Sequence, residues 1–265
     1  MMDYQKLLSK RITGLKPSGI RRFFDLAGEM EGVISLGVGE PDFKTPWIIR
    51  RAGIRSLEDS KTWYTANAGL QELKDEIGEY LSKRFCLEYD RKDEIVVTVG
   101  GSEAIDIAIR AFVEEGDEVL IPEPSFVCYH PITVLSGGVP VPIETKEEDE
   151  FRLTPQELQD KITKRTKLLV LPFPNNPTGA VMRREDLEAI AEVLRDTNIM
   201  VLSDEIYGEL TYGGERHVSI AEIDGMQERT ILVGGFSKAF AMTGWRLGYA
   251  CAPKQVMAQM LKIHQ

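Results

Sequence analysis

The sequence predicts an α/β fold with a mostly parallel central sheet flanked by helices. Three observations predict it. From about residue 94 onward, short β-branched runs alternate with helical stretches. Such alternation favours parallel strands linked by helices on both faces of the sheet. The residues able to do chemistry fall just after strands, where sheets of this kind bind their ligands. The chain of 265 residues, 43% hydrophobic and 28% charged, has the composition of a globular domain and enough length for one large domain.

The elements follow in chain order. Residues 1–45 differ in texture from the rest and are read as an N-terminal arm and part of a smaller domain; residues 46–265 form the large domain. In the arm, Lys16-Pro17-Ser18-Gly19 is a turn signal, with Ser18 or Gly19 capping a helix over about Ile20–Met30. A short apolar segment, Val33–Leu36, then meets an open loop, Gly37-Val38-Gly39-Glu40-Pro41-Asp42. Leu70, Leu73, Ile77 and Leu81 recur at helical spacing and predict an amphipathic helix over 69–85. Strands are expected at Ile95–Val99, Glu118–Ile121, Val139–Ile143, Lys167–Leu171, Ile199–Ser203, Thr230–Val233 and Leu247–Cys251. Helices are expected near 102–114, 126–136, 155–163 and 183–196, with a last one starting near Lys254.

Composition excludes several classes. The net charge is −10 with acids and bases interleaved, so a nucleic-acid partner is not expected. No run of apolar residues is long enough to span a membrane, and the first residues have no signal-peptide core. Cys86, Cys128 and Cys251 are far apart and odd in number, without disulfide or zinc spacing. They read as inert buried thiols in a reducing cytoplasm, and no metal site is expected.

Four strings carry chemistry. Lys238 lies past a strand among small residues, in Gly234-Gly235-Phe236-Ser237-Lys238-Ala239-Phe240. A lysine amine sheltered from water loses part of its preference for the charged form and can condense with an aldehyde. Arg246 follows after a glycine-containing turn and can hold a phosphate by a two-pronged contact. Asp204 and Tyr207, in Ser203-Asp204-Glu205-Ile206-Tyr207, sit at the end of an apolar strand. A buried acid needs a cation, and a protonated pyridine nitrogen is one; alternatively, Asp204 caps a following helix. Asn176, in Pro174-Asn175-Asn176-Pro177-Thr178-Gly179, is either an amide donor or a plain turn residue. Gly100-Gly101-Ser102 leads a strand into a helix, whose N-terminus suits a phosphate. Phe126 is placed to stack on a flat ring or to fill the core, and Tyr64 to donate to a phosphate or simply to face solvent.

In this order, these strings resemble the fold type I pyridoxal-phosphate (PLP) enzymes, and within them the class I/II aminotransferases of the aspartate aminotransferase superfamily. The resemblance implies that Lys238 forms an aldimine with the cofactor and moves the substrate proton, that Asp204 pairs with the pyridinium nitrogen, and that Tyr207 and Asn176 bind the phenolic oxygen. It implies that Gly101, Ser102 and Arg246 hold the phosphate, with Ser237 also lining the cofactor site. Phe126 then stacks on the ring, Gly39 contacts substrate through its backbone, and Tyr64 reaches the phosphate of a neighbouring subunit, which implies a homodimer. The expected reaction moves an amino group from an amino acid to a 2-keto acid. Other activities on the same cofactor, C–S lyase action above all, or a catalytically impaired PLP-binding chain, are the alternatives. The resemblance also implies a further C-terminal stretch that would complete the small domain and supply a carboxylate-clamping arginine. Ser18–Leu26 is similar to a subgroup acting on aspartate-like, aromatic or diaminopimelate-type donors.

Overall fold

In β4 (Thr166–Leu171), Leu168 and Val170 face one side of the sheet and Leu169 and Leu171 the other. Both sets are buried, because helices cover both faces of the sheet and side chains alternate along a strand. The same two-sided burial runs through β2 (Glu118–Glu123), β5 (Met200–Asp204) and β6 (Thr230–Gly235). The computed structural model describes residues 2–17, 19, 26, 29–30, 32–34, 39–214 and 216–265.

The seven strands lie in the order β1-β7-β6-β5-β4-β2-β3, where β1 is Ile95–Thr98, β3 is Val139–Glu144 and β7 is Gly248–Cys251. Only β7 runs antiparallel to its neighbours. All seven expected strands form, with ends shifted by up to two residues. Because β7 is reversed, its first residue, Gly248, pairs with Thr98 at the end of β1 and with Gly235 at the end of β6. The start of β7 thus joins the edge where its neighbours end.

Among the described residues the helices are α1 (Tyr4–Leu7), α2 (Lys10–Gly14), α3 (Trp47–Glu58), α4 (Gln71–Phe85), α5 (Gly101–Phe112), α6 (Tyr129–Leu135), α7 (Pro155–Lys161), α8 (Arg184–Leu194) and α9 (Lys254–His264). Helices α5 and α9 cover one face, placing Ile105, Ile109, Met257 and Met260 against Val96, Leu202, Ile231 and Val233. Helix α8 covers the other face, with Leu187, Ile190 and Leu194 against Leu169 and Val201. A third cluster packs Ile77, Leu81 and Phe85 of α4 onto Ile95 and Leu232. Full burial of each such side chain is worth about 1.5–3 kcal/mol.

The chain divides into two units, Met1–Asp42 and Phe43–Gln265. In the first, the expected Ile20–Met30 helix, the Ser18–Leu26 similarity and the Val33–Leu36 segment fall wholly or mostly outside the described residues. In the second, α3 was not anticipated. Its Trp47, Ile48, Ile54 and Leu57 are exposed and leave no apolar stripe facing its own core. It is anchored instead through Gly53, where an added Cβ would lie 2.8 Å from the Trp245 ring. One thiol also departs from expectation. Cys86 is exposed because it takes the left-handed position, φ +55°, that ends α4, whereas Cys251 is buried.

Candidate active site

At the end of β1 the chain turns through Gly100, at φ +76°, into α5. A side chain at Gly100 would sit 2.5 Å from Arg246 Nη2, so the guanidinium lies directly on this glycine. A Cβ at Gly248 would be 2.5 Å from the Gly100 carbonyl carbon and 2.7 Å from Gly101 N. Glycine is therefore required on both strands of the turn, where the backbones approach closely. Arg246 is itself at φ +55° and donates from Nη1 to the Thr243 carbonyl at 2.9 Å, which fixes the side chain. Gly101, the exposed Ser102 and Arg246 thus meet at the N-terminus of α5, an arrangement of backbone N–H groups and guanidinium suited to an anion.

Asp204 is the last residue of β5 and is buried. It shares the parity of Leu202 and faces the α5 and α6 side, where the Tyr129 hydroxyl donates to Oδ2 at 2.7 Å. The Ile206 N–H donates to Oδ1 at 3.3 Å. Burial raises the carboxyl above the usual carboxylate range, against the opposing pull of these two donors. Both donors are neutral, so nothing in this pair offsets the charge of an ionised Asp204. A turn follows Asp204 rather than a helix, so the capping alternative does not apply.

Tyr207, half-buried, lies on that turn. Burial and then the Asp204 charge push its phenol up, while a hydrogen bond from the Asn176 side chain opposes them. Asn176 is held by its neighbour: the buried Asn175 Oδ1 accepts from Thr178 N at 3.2 Å and from Thr178 Oγ1 at 3.0 Å. Lys238 Nζ stands 5.5 Å from the centroid of the Tyr207 ring. Its loop is closed by the Met242 N–H donating to the buried Ser237 carbonyl at 3.1 Å, and by Thr45 Oγ1 donating to the Ala241 carbonyl at 2.5 Å. Phe126, partly exposed, meets Tyr129 edge-on at 6.2 Å between centroids.

The fold therefore sets Asn176 and Lys238 against Tyr207, whose phenol also feels the Asp204 charge, joins Phe126 to Asp204 through Tyr129, and brings Gly101, Ser102 and Arg246 together at the neighbouring strand ends. Of the other expected residues, Gly39 belongs to the first unit and Tyr64 is fully exposed. Tyr129 is the residue that sequence reasoning missed. It lies inside a helix, three positions after Phe126, and only its burial and its bond to Asp204 mark it. Among the described residues, no group of histidine, cysteine and carboxylate side chains could hold a metal ion, and no helix is long and apolar enough to cross a membrane.

Comparison with known proteins agrees with this arrangement. The family "Aminotransferase class I and II" matches residues 31–265. YugH of Bacillus subtilis, provisionally named an aminotransferase, is 55% identical over 258 residues, covering 97% of this chain and 67% of that protein. The aspartate aminotransferase of Pyrococcus abyssi is 47% identical, covering 96% of this chain and 66% of that protein. The solved aspartate aminotransferase from Thermus thermophilus with maleate superposes with a TM-score of 0.91 at 40% identity, covering 97% of this chain and 67% of that one. The chain thus spans about two thirds of the length of these relatives. By its sequence, its sheet and the arrangement at its strand ends, the chain belongs to the class I and II aminotransferase family.

Proposed function

We propose that this chain carries the cofactor-binding half of a PLP-dependent aminotransferase, which moves an amino group from an amino acid to a 2-keto acid. The single observation that carries the reading is Asp204: a buried carboxylate at a strand end, met by two neutral donors, its charge felt by Tyr207, the ring that Lys238 faces. An ionised acid in that place is stabilised by a cation brought in from outside, and a protonated ring nitrogen supplies it. The glycine-lined turn under Arg246 fits the phosphate of the same molecule, because Gly100 and Gly248 leave no space for side chains.

When bound, PLP supplies an aldehyde for the lysine amine and a protonated ring that draws electrons from the substrate. Asp204 would hold the proton on the ring nitrogen. Tyr129 keeps the Asp204 carboxylate aimed and lowers the cost of its charge. Lys238 Nζ would hold the cofactor aldehyde and serve as the base for the substrate Cα proton. Tyr207 and Asn176 would bind the phenolic oxygen, Phe126 would lie against the ring, and Ser102, Gly101 and Arg246 would bind the phosphate, with Ser237 beside Lys238. Gly39 would meet substrate through its backbone.

The donors closest to this reading are aspartate-like and aromatic amino acids, since relatives include an aspartate aminotransferase and an aromatic-amino-acid aminotransferase. The reading extends to a homodimer. Trp47, Ile48, Leu57, Trp63 and Tyr64 form an exposed run of large apolar side chains that a second copy would cover. A cytoplasmic setting suits its three free cysteines.

The test is borohydride trapping with added PLP, followed by peptide mass mapping. The expected result is one adduct, on Lys238. An adduct on another lysine, or none, overturns the reading. A screen of amino donors with 2-oxoglutarate then identifies the substrate.

A further inference from the structure

At the last turn of α9, His264 sits between two acceptors. Its Nδ1 lies 2.9 Å from Glu103 Oε1 and its Nε2 lies 2.8 Å from the Asn67 carbonyl oxygen. A carbonyl cannot donate, so Nε2 donates to Asn67, while Nδ1 faces a carboxylate oxygen of Glu103. The ring is mostly buried, at 15% exposure.

What His264 holds gives it a role. Glu103 is the third residue of α5, and its other oxygen, Oε2, accepts from the Val99 N–H. The carboxylate therefore clips the turn Val99-Gly100-Gly101, which forms the floor beneath Arg246. Glu103 is also a negative charge within one turn of a helix N-terminus that is to receive a dianion. The His264 ring on its outer oxygen fixes the carboxylate. Asn67 belongs to the loop docked on β1, where Val97 N donates to the Ala68 carbonyl at 3.0 Å. His264 thus ties α9, this loop and the entry of α5 together at one point.

We infer that His264 is a positioning residue for the phosphate-binding turn, acting through Glu103 on the entry of α5. The inference rests on the cofactor reading above, and it concerns the phosphate end alone. It predicts a selective effect, because pyridoxal without its phosphate still uses Asp204 and Lys238 but makes no demand on this turn.

The experiment compares the dissociation constants of PLP and of pyridoxal for wild type, His264→Gln, His264→Ala, Glu103→Gln and Glu103→Gln/His264→Gln, using cofactor-depleted full chain and absorbance titration. In both single variants the PLP constant is expected to rise about five- to tenfold, the scale of one charge-assisted hydrogen bond. The pyridoxal constant should stay within about twofold. In a Glu103→Gln background the additional loss on changing His264 should disappear, as expected for two groups acting as one unit. If His264→Ala fails to fold, His264→Gln, which keeps a donor amide, carries the comparison. Variants whose PLP constant equals that of wild type, or whose PLP and pyridoxal constants change by the same factor, overturn the inference while leaving the cofactor reading intact. A wild type that binds neither molecule overturns the cofactor reading, and the inference with it.

Discussion

The two faces of the sheet at the end of β5 carry consecutive buried carboxylates, Asp204 and Glu205, and they are built in opposite ways. On the α8 face, Glu205 is saturated. Its Oε1 accepts from Ser203 Oγ at 2.9 Å and Ser219 Oγ at 2.6 Å, and its Oε2 meets His217 Nε2 at 2.8 Å. On the α5 face, Asp204 has one hydroxyl and one long backbone N–H. Both are buried, so both bear a desolvation cost. One offsets it with a complete internal network; the other is left short of a cation. A partnered buried charge is a structural element, whereas an under-partnered one marks where a ligand completes the protein.

The largest expected effect tests which chemistry the Asp204 face serves. Lys238→Ala should abolish the trapped PLP adduct and lower turnover by several orders of magnitude, about as much as loss of a covalent nucleophile does elsewhere. Turnover within a few fold of wild type would remove the reason for reading this face as the active one.

Next is Asp204→Asn. The amide cannot hold the ring proton, so turnover should fall about a thousandfold, or roughly 4 kcal/mol. The cofactor-free protein should move the other way. Burial raises the folded-state pKa of Asp204 above its unfolded value. Between those two values the native state binds more protons, so this group's contribution to stability declines as pH rises. Above the unfolded-state value Asp204 is therefore a cost, and at neutral pH the asparagine variant should melt about 2–4 °C higher without cofactor, with a flatter pH dependence on thermal denaturation. A lower melting temperature would erase the contrast between the two carboxylates.

Glu205→Gln should do the reverse. It turns one of the two acceptor oxygens into an amide donor, so His217 or the two serine hydroxyls lose their acceptor, and a stability loss of about 3 kcal/mol is expected in urea denaturation. PLP affinity measured under native conditions should change less than in Asp204→Asn. The smallest effect is that of Tyr129→Phe. Removing the hydroxyl takes away a bond that lowers the Asp204 carboxyl, so the group moves further up. PLP affinity should fall about tenfold with little change in unfolding midpoint. Equal effects of Glu205→Gln and Tyr129→Phe on affinity would mean that the two faces are not separate in function.

Much of this was legible in the residue order. The inner strands β2, β4, β5 and β6 are short and buried on both sides, so each is a nearly continuous apolar run with a clear end. Lys238, Asp204, Asn176 and Gly101 were singled out because they stand at or just past strand ends. Helix α3 was not found, because Trp47, Ile48, Ile54 and Leu57 face outward and its anchor is a glycine under Trp245. Cys86 was misread as buried, because a left-handed position after a helix leaves no signature unless glycine or asparagine fills it. Tyr129 was passed over because an aromatic residue inside a helix usually marks the core, and its hydroxyl partner lies 75 residues away.

By itself, the sequence determined the strand ends, and with them which residue types stand along one edge of the sheet, because a period of two and the apolar run lengths are local properties. Only the tertiary structure decided which of two adjacent acids would lack a cation, which glycines would lie under a guanidinium, and that a histidine at the end of α9 would meet the first turn of α5. Those outcomes depend on contacts between segments far apart in the chain, and burial is set by everything that packs around a group rather than by its neighbours in sequence.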